Sequence, residues 1–206
     1  MSDPKDADRR ELPDEQLLKR CRLGDDKALE MLIRRYRQEL LNFLTRFCRD
    51  RATGEDIFQE TFLQVYQSAE SFDTSRRFKP WLFTIAANKA RDYLRRRARR
   101  PSVPLDAQVG GTDGPLSFVD LMADDLPGPE QNIQNQERSR RIRQTVDRMP
   151  DHLSEILLLA YFQKMSYGQI AEILQIPLGT VKSRLHTAVG TFAKMWKSAN
   201  RSEEPT

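Results

Sequence analysis

Apolar residues return every three or four positions through most of this chain, and no stretch shows the convincing alternation of a half-buried strand. In GEDIFQETFLQVYQSAESF, the residues Phe58, Phe62, Val65, Ala69 and Phe72 share one helical face, while Asp56, Gln59 and Glu60 share another. Thr53 and Asp56 form a T-x-x-D start for that helix. A second helix is predicted from Pro80, whose fixed φ suits a first helical position. Its inner side carries Leu82, Ala86, Ala90 and Tyr93, and its outer side Trp81, Thr84, Asn88, Asp92 and Arg95. Upstream, Asp14 is placed to cap a short helix bearing Leu17, Leu18 and Cys21, which Gly24 ends. A long helix follows from Asp25 or Asp26, with Leu29, Leu32, Ile33, Tyr36, Leu40, Phe43, Leu44 and Phe47 at helical spacing.

Near the C-terminus, Ile142, Val146 and Met149 face a core on a helix stopped by Pro150, and Asp151 is placed to cap the next, through ILLLAYF. The stretch SYGQIAEILQIPLGTVKSRLHTAVGTF then reads as helix, tight turn and helix. Ser166 and Gln169 make a capping box, Ile170, Ala171 and Leu174 point inward, and Val181, Leu185, Ala188 and Phe192 form the inner stripe of the last helix. Between the two helical parts, 101–136 is broken by prolines and glycines and is longer than a compact domain tolerates. The expectation is all-α: two small helical domains, 12–100 and 137–198, joined by a flexible acidic linker over 101–136.

Charge sharpens that division. The net charge is only +4, yet no Lys or Arg occurs from Pro101 to Glu137, where Asp106, Asp113, Asp120, Asp124, Asp125, Glu130 and Glu137 all lie. Two basic blocks flanking an acidic connector are expected when both blocks meet nucleic acid. Cys21 and Cys48 sit far apart in apolar helical patterns and read as buried free thiols of a reducing compartment. No apolar run approaches membrane-spanning length and the charged N-terminus does not read as a signal peptide, so a cytoplasmic protein without membrane insertion is expected.

Two places carry candidate chemistry. Trp81, Asn88 and Arg95 align on one stripe beside the basic loop DTSRRFK and the run RRRARR. Unpaired bases are read with an aromatic face to stack on, an amide for a base edge and cations for phosphate. The competing reading is that Trp81 packs on a neighbouring helix and the arginines are simply hydrated. In the last helix Gly179, Ser183 and His186, flanked by Lys182, Arg184 and Thr187, lie opposite the inner stripe, where a recognition helix meets the major groove; the alternative there is a non-binding three-helix packing. His152 and His186 lack cysteine partners for a zinc site, and neither a G-x-x-x-x-G-K-[ST] loop nor a G-x-S-x-G elbow is present. No cofactor, metal or catalytic residue is expected. A serine recombinase would need an α/β catalytic core, which the first hundred residues do not offer; a two-domain regulator would bind duplex DNA without polymerase.

The blocks EDIFQETFLQVY, FKPWLFTIAANKARDYLRRR and MPDHLSEILLLAYFQKMSYGQIAEILQIPLGTVKSRLH, in this order, resemble bacterial RNA polymerase sigma factors of the extracytoplasmic-function type, from Asp14 to Lys197. The resemblance implies a promoter-specificity subunit that binds core RNA polymerase at its β′ clamp and β flap and promotes melting of promoter DNA. Asp56, Gln59 and Glu60 match the face that docks the β′ clamp. Ser71, Phe72, Asp73, Arg76, Arg77, Phe78 and Lys79 match the loop that captures a base flipped from the minus-ten element, with Trp81, Asn88, Arg91 and Arg95 beside it. Tyr167, Gly179, Thr180, Lys182, Ser183, Arg184, His186 and Thr187 match the reader of the minus-thirty-five element. The linker would thread the polymerase cleft, its carboxylates imitating phosphates, and many relatives are held inactive by an anti-sigma factor. Two departures stand out: TAVGTFAKM has fewer arginines than relatives carry and places Gly190 within a helix, and Gln175 occupies a turn position where glycine is frequent.

Overall fold

The computed structural model describes residues 12–98 and 131–201, and every regular element in them is helical. In chain order these are α1 (Asp14–Arg22), α2 (Asp26–Cys48), α3 (Arg51–Gln67), α4 (Phe78–Ala98), α5 (Gln131–Asp147), α6 (Asp151–Leu157) running into a π-helical turn (Leu158–Phe162), α7 (Tyr167–Leu174) and α8 (Leu178–Arg201). Most of the expected linker and the end of the RRRARR run lie outside the described residues. Its last residues, 131–136, belong to α5, so the helix starts earlier than the sequence suggested. The described chain divides into two compact units. One holds α1 to α4 together with 168–176, and the other holds α5, α6 and α8, so the short helix α7 departs from the boundary expected at 137.

In the first unit α2 is the element on which α1, α3 and α4 all pack. Its stripe Leu32, Tyr36, Leu40, Phe43, Leu44 and Phe47 is buried almost completely, whereas Leu29 and Ile33 lie at its margin. Each fully buried Leu or Phe contributes about 1.5–3 kcal/mol relative to an exposed one. Rings extend the contact, with Phe43 at 5.4 Å from Phe83 and Tyr36 at 5.5 Å from Phe78 between centroids. Cys21 and Cys48 are buried free thiols, as expected.

Several helix starts differ from expectation. Asp14 is the first residue of α1 rather than its cap; its carboxylate takes the Tyr36 hydroxyl and the Arg35 guanidinium instead. Burial and that carboxylate push the Tyr36 phenol far up. Helix α3 starts before Thr53, because Asp50 is its N-cap and accepts the Thr53 amide at 2.9 Å. The Thr53 hydroxyl and amide hold the Asp50 carboxyl below its usual range. The same helix ends at Gln67, leaving Ala69 and Phe72 in the following loop, and α4 starts at Phe78, two residues before Pro80. Asp151 is likewise the first residue of α6, preceded by Pro150 at the cap position.

Gly24 ends α1 as expected. It takes φ 83°, and the amides of Gly24 and Asp25 reach back to Cys21 and Arg20, the paired bonds of a Schellman motif. In the second unit α8 packs on α5 and α6. Ile142, Val146, Met149, Ile156, Leu157, Val181, Leu185, Ala188 and Phe192 are all buried, matching the inner stripes read from sequence.

Two glycines make opposite predictions. A Cβ on Gly54 would lie 2.8 Å from the Thr45 hydroxyl and 2.9 Å from its backbone nitrogen, so α2 and α3 approach there too closely for a side chain. Gly54→Ala should therefore destabilise the protein by about 1–3 kcal/mol. A Cβ on Gly190, inside α8, meets nothing within 4 Å, so Gly190→Ala should stabilise by about 0.5–1 kcal/mol. Urea unfolding of each variant against the parent checks both signs.

Candidate nucleic-acid interface

The loop 68–77 joins α3 to α4, and its two ends are closed by aromatic packing. Phe72 lies 4.5 Å from Trp81 and 6.4 Å from Phe78, and Phe78 lies 5.9 Å from Trp81, centroid to centroid. Phe72 and Phe78, expected among the DNA contacts, are buried and pack beneath the loop. Trp81 is half-buried, so it both packs on the loop and keeps part of its ring at the surface.

The exposed side of the loop is polar. Ser71, Asp73, Arg76 and Arg77 are all exposed. Asp73 accepts the Ser75 amide at 2.9 Å, an Asx turn that holds its carboxyl below the ordinary range. As an anion it shapes the turn and repels phosphate, which makes it a poor backbone contact. Lys79 is half-buried and ion-paired with Glu39 of α2, with its ammonium 5.9 Å from the Phe83 ring. Its charge is thus largely spent inside the domain.

Along the outer side of α4, Asn88 is exposed and its side-chain oxygen accepts from Arg91 at 2.7 Å. Arg95 pairs with Asp92 one turn back, and Arg96 and Arg97 are exposed beyond it. Trp81, Asn88, Arg91 and Arg95 therefore reach one strip leading from the loop, as the helical wheel requires.

Asp56, Gln59 and Glu60 are all exposed on α3. Glu60 is shared with Lys89 at 3.4 Å. Leu63 and Tyr66 continue the same strip and are 58% and 52% exposed. Periodicity assigned neither of them to a site, although Leu63 follows Gln59 and Glu60 at helical spacing and so had to share their side.

Two further residues were invisible to pattern reading because they act at long range. Glu15 of α1 accepts the Phe78 amide at 2.9 Å, and the Arg22 guanidinium donates to the Ala69 and Phe72 carbonyls.

In the C-terminal motif, α7 ends in a second Schellman arrangement. The Ile176 amide donates to Ala171 O at 3.1 Å, the Gln175 amide to Glu172 O at 3.3 Å, and Gln175 takes φ 53°. A non-glycine residue is strained there, since left-handed backbone favours the glycine that is frequent at this turn position. On α8, Gly179, Lys182, Ser183, His186 and Thr187 are exposed, and Thr180 and Arg184 are half-buried. Ser183 and Thr187 donate to the carbonyls of Thr180 and Ser183, which leaves their oxygen lone pairs for an incoming donor. Tyr167 is exposed at the start of α7.

Comparison with known proteins settles what these surfaces belong to. Models for Sigma-70 region 2 and Sigma-70 region 4 match residues 32–100 and 139–190. The chain is 33% identical to the RNA polymerase sigma-H factor of Pseudomonas aeruginosa, over 85% of its own length and 89% of the relative's. It is 34% identical to the extracytoplasmic-function sigma factor SigW of Bacillus subtilis, over 82% and 89%. This chain belongs to the extracytoplasmic-function RNA polymerase sigma factors. Its fold agrees with the sigma factor RpoE of Bartonella quintana, solved with the anti-sigma factor NepR, at TM-score 0.61 and 20% identity over 83% of this chain and 98% of that one. The structure of CnrH with the cytosolic domain of CnrY gives TM-score 0.64 and 22% identity, over 90% and 97%. It is a promoter-recognising sigma factor, and the candidate surfaces on α3, on the loop with α4, and on α8 lie within its two matched regions. Among the described residues no helix is long and apolar enough to cross a membrane.

The strained turn of this sigma factor carries its own prediction. Gln175→Gly should relieve the left-handed backbone at the C-terminus of α7 and raise stability by about 1 kcal/mol. Urea unfolding should show a higher midpoint with an unchanged slope.

Proposed function

We propose that this sigma factor docks core RNA polymerase through Asp56, Gln59 and Glu60, reads the minus-ten element with the loop 71–79 and the outer strip of α4, and reads the minus-thirty-five element with α8. The observation that carries the reading is the exposed strip on α3. Leu63 follows Gln59 and Glu60 by one turn and Asp56 by two, and an apolar residue left exposed on an acidic strip suits a protein partner rather than nucleic acid. A regulator acting on duplex DNA alone would have no use for such a face. Leu63 and Tyr66 are therefore added to the polymerase surface proposed here.

The melted strand meets Trp81 at the surface edge of its ring, Asn88 at a base edge, and Arg76, Arg77, Arg91 and Arg95 along the backbone. Phe72 and Phe78 support the loop, Asp73 sets its turn, and Lys79 braces it against α2. Flipping a base out of the stack costs a few kcal/mol, which these contacts must return. In the second domain Gly179 admits close approach of DNA to the start of α8, while Lys182, Ser183, Arg184, His186 and Thr187, with Thr180 and Tyr167 at the margin, supply contacts to bases and phosphates. The protein works in the cytoplasm on core polymerase and promoter DNA. An anti-sigma factor is included among its partners because the solved relatives RpoE and CnrH are seen with NepR and CnrY.

Purified protein mixed with core polymerase should direct initiation from defined promoters, and duplex binding without polymerase should be weak. Leu63→Asp should lower affinity for core by about tenfold or more, the order expected for charging a buried apolar anchor. Asn88→Ala should leave core affinity unchanged and slow open-complex formation by roughly tenfold, the worth of one good base contact. Permanganate footprinting together with a core-binding titration separates the two effects.

A further inference from the structure

We propose that α1 is the tether that holds the base-capturing loop in its working shape, with Glu15 and Arg22 as positioning residues for minus-ten recognition. The inference rests on the loop's proposed role. It is drawn from a helix that lies outside the matched family regions, since the region 2 match begins only at residue 32.

From Ala69 to Phe72 the loop's own backbone bonds are long, whereas the turn after it is closed by the Arg76 amide on Asp73 O at 3.0 Å. The Ala69 amide reaches Tyr66 O at 3.3 Å, the Ser71 amide Ser68 O at 3.2 Å and the Phe72 amide Ala69 O at 3.4 Å. All three are at the long end of the hydrogen-bond range. The stronger partners come from α1. Arg22 offers its planar fork to two loop carbonyls at once, Nε to Ala69 and Nη2 to Phe72, which fixes their separation as well as their direction. At the far end of the loop the Phe78 amide opens α4 and belongs to the first turn, whose donors have no partner within the helix. Glu15 supplies the acceptor at 2.9 Å from far upstream in the chain.

Glu15 and Arg22 stand seven positions apart on one helix, two turns along the same face. A single rigid face therefore grips both ends of the loop. Leu17, Leu18 and Cys21, all buried, anchor α1, and the Schellman motif at Gly24 fixes the last turn, where Arg22 sits. Neither residue needs to touch DNA. Their effect is to keep Phe72 under Trp81 and so to present the exposed loop side chains at one spacing before the strand arrives, which removes an ordering cost from recognition.

The test uses the full chain with core polymerase on a promoter mapped from its own transcript starts. Arg22→Ala and Glu15→Ala should retain core affinity and slow melting of duplex promoter about tenfold. They should also flatten the penalty for single-base changes in the non-template minus-ten strand, on duplex and on pre-melted templates alike. Glu15→Gln should behave like the parent, because an amide oxygen still accepts from the Phe78 amide. Arg22→Lys, which cannot serve both carbonyls in one plane, should fall between. Lys19→Ala, on the exposed side of α1, should change nothing. If either alanine variant unfolds, Arg22→Lys still decides the matter through its intermediate base discrimination, and parent-like discrimination by Arg22→Lys then overturns the tether. The tether is overturned if the alanine variants discriminate bases as the parent does, if core affinity falls along with discrimination, or if Glu15→Gln fails as Glu15→Ala does. A parent protein that directs no initiation with core would instead strike down the sigma reading and the tether together.

Discussion

The apolar stripe of α2 from Leu32 to Phe47 is the surface on which α1, α3 and α4 are all laid, and its burial is what makes the first unit a domain. Because one helix serves three partners, the relative placement of the other three is set by a single rigid body. The functional loop depends on this twice. Phe78 enters the core beside Tyr36, and Lys79 pairs with Glu39, so α2 fixes where α4 begins. The approach of α3 at Gly54, too close for a Cβ, then fixes where the loop departs.

Periodicity placed most of the interior, because burial in a helical domain depends largely on spacing, but it put Phe58 and Ala171 inward where Ile57, Thr61 and Ile173 are the buried residues. Val181, Leu185, Ala188 and Phe192 needed no knowledge of their neighbours to be placed inward, and neither did Leu82, Ala86 and Ala90. Helix ends were a different matter. Thr53 and Asp14 have the chemistry of caps, yet Asp50 claimed the first position and Tyr36 with Arg35 claimed Asp14. A local cap motif competes with every other polar partner the fold brings near, and those partners cannot be read from spacing.

The same limit applies at the candidate site. Exposed residues such as Asp56, Gln59, Asn88 and Ser183 were legible, since a polar residue opposite a buried stripe must face solvent. The burial of Phe72 and Phe78 was not legible, because a loop resemblance assigns roles along the chain, whereas aromatic rings in a polar loop are drawn into the core by the area they bury. Arg22 and Glu15 were missed altogether. Each looked like an ordinary charge on an amphipathic helix until the fold brought α1 beside the loop carbonyls and the first amide of α4.

The electrostatics favour selective reading over general attraction to DNA. Several cations near the loop are engaged within the protein: Lys79 by Glu39, Lys89 by Glu60 and Arg95 by Asp92, while Arg91 donates to Asn88. Exposed pairs of this kind contribute little to stability. They do, however, reduce the number of phosphates the free domain can neutralise, and non-specific affinity depends steeply on that number. With bulk attraction kept low, binding at this surface has to come from a shaped loop, a partly exposed indole and an amide at fixed positions. On the reading proposed above, those contacts form with an unpaired strand. Such a surface would gain little from intact duplex, and its selectivity would be expressed where polymerase holds the DNA and melting begins.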